Sequence, residues 1–78
     1  MGLGRFEVRR VEARGDDLRF VAFRYSDRSY TDTWVRVRVR RDSCCPVCWW
    51  PVLKGSEAFR PLGDGLHRML RVHLECLA

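Results

Sequence analysis

Seventy-eight residues, 46% of them apolar and with a formal charge of +5, leave room for one domain around a small core. No apolar run approaches the ~20 residues of a membrane span, and no secretory h-region opens the chain, so the expectation is a cytoplasmic, reducing setting without a membrane partner. A basic balance favours acidic partners.

Arg5 to Ala13 reads as a strand with Phe6 and Val8 on one face. Val11 and Ala13 then fall on the other parity, and a one-residue slip in a period of two marks a bulge near Arg9-Arg10. Arg14-Gly15-Asp16-Asp17 is a turn. Leu18 to Tyr25 carries apolar residues on both faces, the pattern of a strand flanked and covered on two sides. Ser26 to Asp32 is polar turn material around Tyr30. Thr33 to Arg41 alternates: Val35, Val37 and Val39 line one face, with Trp34, Arg36, Arg38 and Arg40 on the other. Residues 5–41 are therefore expected to form an antiparallel three-stranded meander.

Asp42-Ser43 is too short to act as a linker, so residues 1–78 are read as a single domain with two halves sharing a core. The second half, 45–78, begins at Cys45-Pro46-Val47-Cys48 and ends near His73-Leu74-Glu75-Cys76. Each pair has a two-residue gap, so each can aim two ligand atoms at one point. Two such pairs make the Cys3His set of a closed, tetrahedral structural zinc site. One Zn2+ held by Cys45, Cys48, His73 and Cys76 is thus the expected cofactor. Finger-type zinc contributes on the order of 10–16 kcal/mol, a decisive amount for a chain this small. Two disulfides in a secreted chain are the competing use of four cysteines. A second alternative is a ββα finger using His67 and His73, although 18 residues separate Cys48 from His67, against about 12 in that motif. Cys44 is left as a free thiol, expected to be a small buried residue.

The run Cys45-Pro-Val-Cys48, Pro51-Val-Leu-Lys-Gly55, Ala58-Phe-Arg60 and Arg71-Val-His-Leu-Glu-Cys76 resembles treble-clef zinc fingers, most closely those of the LIM and poly(ADP-ribose) polymerase type. The resemblance covers about the last 35 residues and implies a knuckle at the first ligand pair. It further implies a hairpin turning at Lys54-Gly55-Ser56 between Trp49–Leu53 and Glu57–Arg60. The last pair would sit where a strand, Met69 to Val72, enters a helical turn at His73. A single amphipathic helix over Leu66–Leu77 is the alternative reading of that segment. Only two residues follow Cys76, so the final helix is expected to be very short. The fold class expected is a small α+β protein, mostly β, with the meander packed on a treble-clef-like finger.

Of fifteen basic residues all but Lys54 are arginine. Arginine binds phosphate bidentately and stacks on bases, although GC-rich coding produces the same preference. In a strand, Arg36, Arg38 and Arg40 stand about 6.6 Å apart, near the repeat of successive phosphates on one nucleic-acid strand. With Arg41 and the aromatic Trp34 they make the candidate nucleic-acid surface. The carboxylates fall mainly in turns, no nucleophile–base order is present, and four ligands leave a zinc ion no open position. The expected function is a non-catalytic zinc-binding protein that contacts DNA or RNA, alone or as a small subunit of a nucleoprotein complex. The alternative is an adaptor or inhibitor that docks on a larger protein through exposed aromatics.

Overall fold

The computed structural model describes residues 6–63 and 69–78. Its elements are β1 (Phe6–Arg14), β2 (Leu18–Tyr25), β3 (Arg28–Arg38), β4 (Ser43–Cys44), β5 (Pro51–Val52), β6 (Glu57–Pro61), β7 (Val72–His73) and a 3-10 turn, Leu74–Leu77. The chain is mostly β. One antiparallel sheet runs β1-β2-β3-β6-β7, and β4-β5 form a separate ladder of two short strands.

The bulge lies where the parity slip places it, between Val8 and Arg10. Its effect on the core is direct. Phe6, Val8 and Val11 pair with Tyr25, Phe23 and Val21, which alternate along one face of β2. The inserted residue therefore returns Val11 to the face that Phe6 and Val8 occupy. Gly15, at φ 78°, opens the turn into β2, a conformation that costs glycine little.

The sheet does not stop at three strands. β6 pairs with the far edge of β3, from Trp34↔Pro61 to Arg38↔Glu57, and β7 adds the fifth strand through Ala58↔His73 and Phe59↔Val72. The third strand also begins earlier and ends earlier than the alternation suggests. The polar run Ser26–Asp32 contracts to a turn at Ser26-Asp27, and Tyr25 pairs with Arg28. Tyr30 and Asp32 then stand opposite Phe23 and Val21, while Ser29, Thr31 and Thr33 take the other face. An alternating strand had been disguised by polar residues on one side of it.

The aromatic core gathers on the Phe23 face. Phe6 stacks on Phe23 at 5.0 Å and Tyr30 does so at 5.4 Å, with Trp34 edge-on to Phe23 at 5.6 Å. Such pairs add about 0.5–1.5 kcal/mol each beyond their burial. Arg19, on the same face, donates from Nε to the Leu77 carbonyl at 2.8 Å and lays its guanidinium 5.0 Å from the Phe59 ring centre. The last turn is thereby tied across the sheet to β2. One apolar cluster takes in Phe6, Val21, Phe23 and Trp34 together with Cys45, Val52, Phe59 and Leu77.

The expected hairpin between Trp49–Leu53 and Glu57–Arg60 does not form. Lys54-Gly55-Ser56 is a turn, with Gly55 at φ 91°, but β5 pairs with β4 and β6 pairs with β3. β3 offers β6 a ladder from Trp34↔Pro61 to Arg38↔Glu57, whereas β5 is only two residues long. Over residues 69–78 the order of strand then turn holds, but the strand is shorter and later than Met69 to Val72: β7 is Val72–His73, residues 69–71 lie outside it, and the 3-10 turn starts at Leu74.

Candidate metal centre

Residues 45–50 form a tight loop between β4 and β5. Trp49 N donates to the Cys45 carbonyl at 2.8 Å and Cys45 N donates to the Trp50 carbonyl at 3.0 Å. Closing the loop forces Trp49 to φ 67°, an uncommon conformation for a bulky residue. The reward is that Cys45 and Cys48 present their sulfurs on the same side.

His73 is the last residue of β7, in register with Ala58 and through it with Val37. That is the face opposite Phe59, and the knuckle stands against it. His73 Nδ1 lies 3.2 Å from Cys48 Sγ, while Nε2 lies 2.9 Å from the Pro51 carbonyl. A carbonyl can only accept, so Nε2 carries the proton and Nδ1 presents its lone pair to the sulfurs. An imidazole oriented by a backbone carbonyl behind it is the usual arrangement of a metal-bound histidine. The 3-10 turn then brings Cys76 Sγ to 3.8 Å from Cys45 Sγ.

All four ligand atoms lie within 4.8 Å of one another. A tetrahedral ion with Zn–S of about 2.3 Å holds its sulfurs about 3.8 Å apart, and the Cys45–Cys76 separation matches that. The cysteines are free thiols. Burial works to raise the Cys45 thiol, but backbone amides of His73, Cys48 and Val47 outweigh it and bring it down to about 7. Cys76 goes the other way, pushed up to about 12 by burial first and by the Cys45 charge next. For His73 burial is also the largest influence, yet the Pro51 carbonyl and the Cys45 sulfur reverse it and raise the imidazole. The cluster by itself stabilises one thiolate and resists a second. Three thiolates together require a cation in their midst. The ligand set expected from the spacing is thus brought to one point, with a donor set suited to zinc.

The other candidates fare differently. Cys44 is exposed rather than buried, and its thiol donates to the Trp49 carbonyl at 3.4 Å. His67 lies outside the described residues.

Trp34 is fully buried, so it offers no stacking surface to a ligand. Alternation does place it on the face of Arg36, but that face changes character along β3. At the Trp34 end it is covered by Phe6 and Phe23, with Pro61 alongside, and from Arg36 onward it opens to solvent. The arginine row is also broken. Arg36 Nε donates to Glu57 Oε1 at 2.7 Å, and this bond, then the charge of Glu57, raises its pKa. Arg38 Nη1 donates to the Gly55 carbonyl at 3.0 Å. β3 ends at Arg38, which leaves Arg40 and Arg41 in the bend that follows.

Sequence reasoning missed two cations. Arg60 on β6 and Arg71 before β7 join Arg38, Arg40 and Arg41 around an open cleft of ≈ 870 Å³. Desolvation, then the neighbouring Arg60 charge, lowers the Arg71 guanidinium from its usual range. The signal was present in β6, where Arg60 is the one cation, set among Ala58, Phe59 and Pro61. Its partner across the cleft depends on the crossover to β3, which spacing does not reveal. Trp49 and Trp50 are exposed, at 65% and 72%, with Leu53 nearby in sequence at 58%. No helix of the described residues is long and apolar enough to cross a membrane.

No family model, no curated protein and no solved structure matches the chain.

Proposed function

We propose that this chain is a non-catalytic zinc-binding protein that contacts nucleic acid, alone or as a small subunit of a nucleoprotein complex. The observation that carries it is the convergence of Cys45, Cys48, His73 and Cys76 within 4.8 Å, with His73 held in the metal-binding tautomer by Pro51. When bound, Zn2+ supplies no reaction here; four protein ligands leave it no position for water or substrate. The chain's own residues do the rest. The knuckle orients two sulfurs, β7 orients the imidazole, and the 3-10 turn closes the set. A knuckle followed by a strand-to-turn second pair supports the treble-clef likeness of the ligand segments, though the hairpin between them is rearranged. For nucleic acid the support is the charge of +5 and the dominance of arginine among the basic residues.

A second reading has its own observation. Trp49 and Trp50 project into solvent at the knuckle, and exposed tryptophans are common anchors of protein interfaces. One experiment separates the two. The purified chain is assayed for zinc, then for binding to single- and double-stranded oligonucleotides at two salt concentrations. One zinc per chain and affinity that falls steeply with salt support the proposal. Stoichiometric zinc with no salt-sensitive binding sinks the nucleic-acid half and favours docking through the tryptophans, to be checked by pull-down with Trp49→Ala and Trp50→Ala.

A further inference from the structure

The cleft at the C-terminal end of β3 gathers five arginines. Arg38, Arg40, Arg41, Arg60 and Arg71 line it, against Asp42 as the one acidic lining residue among the described residues. Asp42 is already engaged, since its Oδ1 accepts from Lys54 N at 2.7 Å. Guanidiniums gathered around one opening repel each other, and an anion among them relieves that repulsion.

A second, independent observation points into the same place. Among the described residues, three buried side-chain polar atoms have no hydrogen-bond partner: Trp34 Nε1, Ser43 Oγ and Arg60 Nε. Two of those residues, Ser43 and Arg60, line the cleft. Buried polar groups are nearly always paired, so a hydroxyl and a guanidinium N–H without acceptors at one cleft ask for a ligand rich in acceptor oxygens. The arginine row on β3 lacks this property, since Arg36 and Arg38 spend donors on Glu57 and Gly55.

We infer that this cleft, rather than the face of β3, is where phosphate groups of a nucleic-acid strand bind, with Arg60 and Ser43 at its base and Arg40 and Arg41 at its rim. The inference rests on the proposed function and names its site. Phosphate is favoured over carboxylate by the number of donors. A carboxylate accepts one bidentate arginine fork readily, whereas successive phosphodiesters offer acceptor oxygens on several sides to several forks. At ≈ 870 Å³ the cleft exceeds what a single phosphate fills.

The test uses the full zinc-loaded chain. The arginine Nε–H resonances are followed by NMR during titration with a ten-nucleotide oligothymidylate, the matching oligouridylate, pyrophosphate, and a glutamate decapeptide. Binding constants are measured in parallel at two salt concentrations for wild type, Arg60→Gln, the Arg40→Gln/Arg41→Gln double variant, and Arg9→Gln as a control on β1. The expected result is a shift of the Arg60 signal with either oligonucleotide and at least tenfold weaker binding by Arg60→Gln. The double variant should lower the slope of log K against log salt by about 1–2 units, while Arg9→Gln changes little. The rim variants are exposed in the bend after β3, so they test the site even if Arg60→Gln fails to fold. Oligonucleotide binding that is unchanged in the rim variants overturns the cleft and leaves the proposed function standing. Shifts with pyrophosphate but no oligonucleotide binding overturn the nucleic-acid reading and assign the cleft to a free phosphate compound. Equal or tighter binding of the glutamate peptide overturns the inference in favour of an acidic protein.

Discussion

Replacing Cys76 by serine removes the ligand that closes the 3-10 turn onto the knuckle. Residues 69–78 are also held by a two-residue ladder between β7 and β6, the His73 bond to the Pro51 carbonyl, the Arg19 bond to the Leu77 carbonyl, and the burial of Val72 and Leu77. Ordering ten residues costs about 10–20 kcal/mol of backbone entropy. Burying a valine and a leucine returns about 3–6 kcal/mol. The shortfall, about 4–17 kcal/mol, brackets what structural zinc contributes, about 10–16 kcal/mol. Cys76→Ser should therefore release the segment, uncover Phe59 beneath it, and bring down much of the domain. Zinc content, near-ultraviolet circular dichroism and hydrogen exchange at Val72 and His73 read this out directly. Cys44→Ser, whose sulfur lies outside the cluster, should match wild type in all three. Native exchange protection and full zinc in Cys76→Ser would refute the reasoning.

Zinc uptake should release protons, because Cys76 is held protonated by burial and by Cys45, and the His73 imidazole is raised. Cys45 is lowered to about 7, so below that pH it too must lose a proton, and affinity should fall more steeply with acidification; calorimetry in two buffers of different ionisation enthalpy measures the count. Trp34→Ala should cost about 3–5 kcal/mol in urea unfolding, as expected for a buried aromatic deleted from a packed cluster. The same change at exposed Trp49 or Trp50 should stay within about 0.5 kcal/mol. Gly63→Ala would place a methyl 2.7 Å from Asp32 Oδ2, a carboxylate whose Oδ1 also accepts from Thr33 N. Its melting temperature should fall by a few degrees, for roughly 1 kcal/mol lost.

The metal ligands were legible because their signal is local: two gaps of two residues survive any rearrangement of what lies between. The bulge in β1 was legible for a related reason, since a parity slip is visible within one strand. What could not be read was pairing at a distance. Glu57–Pro61 looks like the second arm of a hairpin until the far edge of β3 is known to take it, and nothing within either segment announces the other. Trp34 failed differently. Alternation assigns a face correctly but does not say whether that face is covered, and here the covering rings, Phe6 and Phe23, come from two other strands. Arg60 and Arg71 were passed over because each is a single cation among apolar neighbours, and only the β3–β6 crossover brings them to Arg38.

The metal centre and the basic cleft share a mechanical part. His73 pairs with Ala58 in the register that sets Val72 beside Phe59. Arg60 follows on β6 and Arg71 precedes on the strap, so the ladder that delivers a ligand to the metal also brings two guanidiniums to one cleft. That juxtaposition is unfavourable by itself, and the burial of an unpartnered Arg60 Nε adds to the cost. A chain selected for stability alone would place an uncharged residue at one of these positions. Local rules are broken in folded proteins mainly where function requires it, and the cost is met elsewhere. Here the elsewhere would be two residues along the chain, where a metal ion on Cys45, Cys48, His73 and Cys76 would fix β7 firmly enough to hold like charges side by side. On this argument loss of the metal should dismantle the cleft first and reach the rings around Phe23 later, through Val72 and Leu77, which share their apolar cluster.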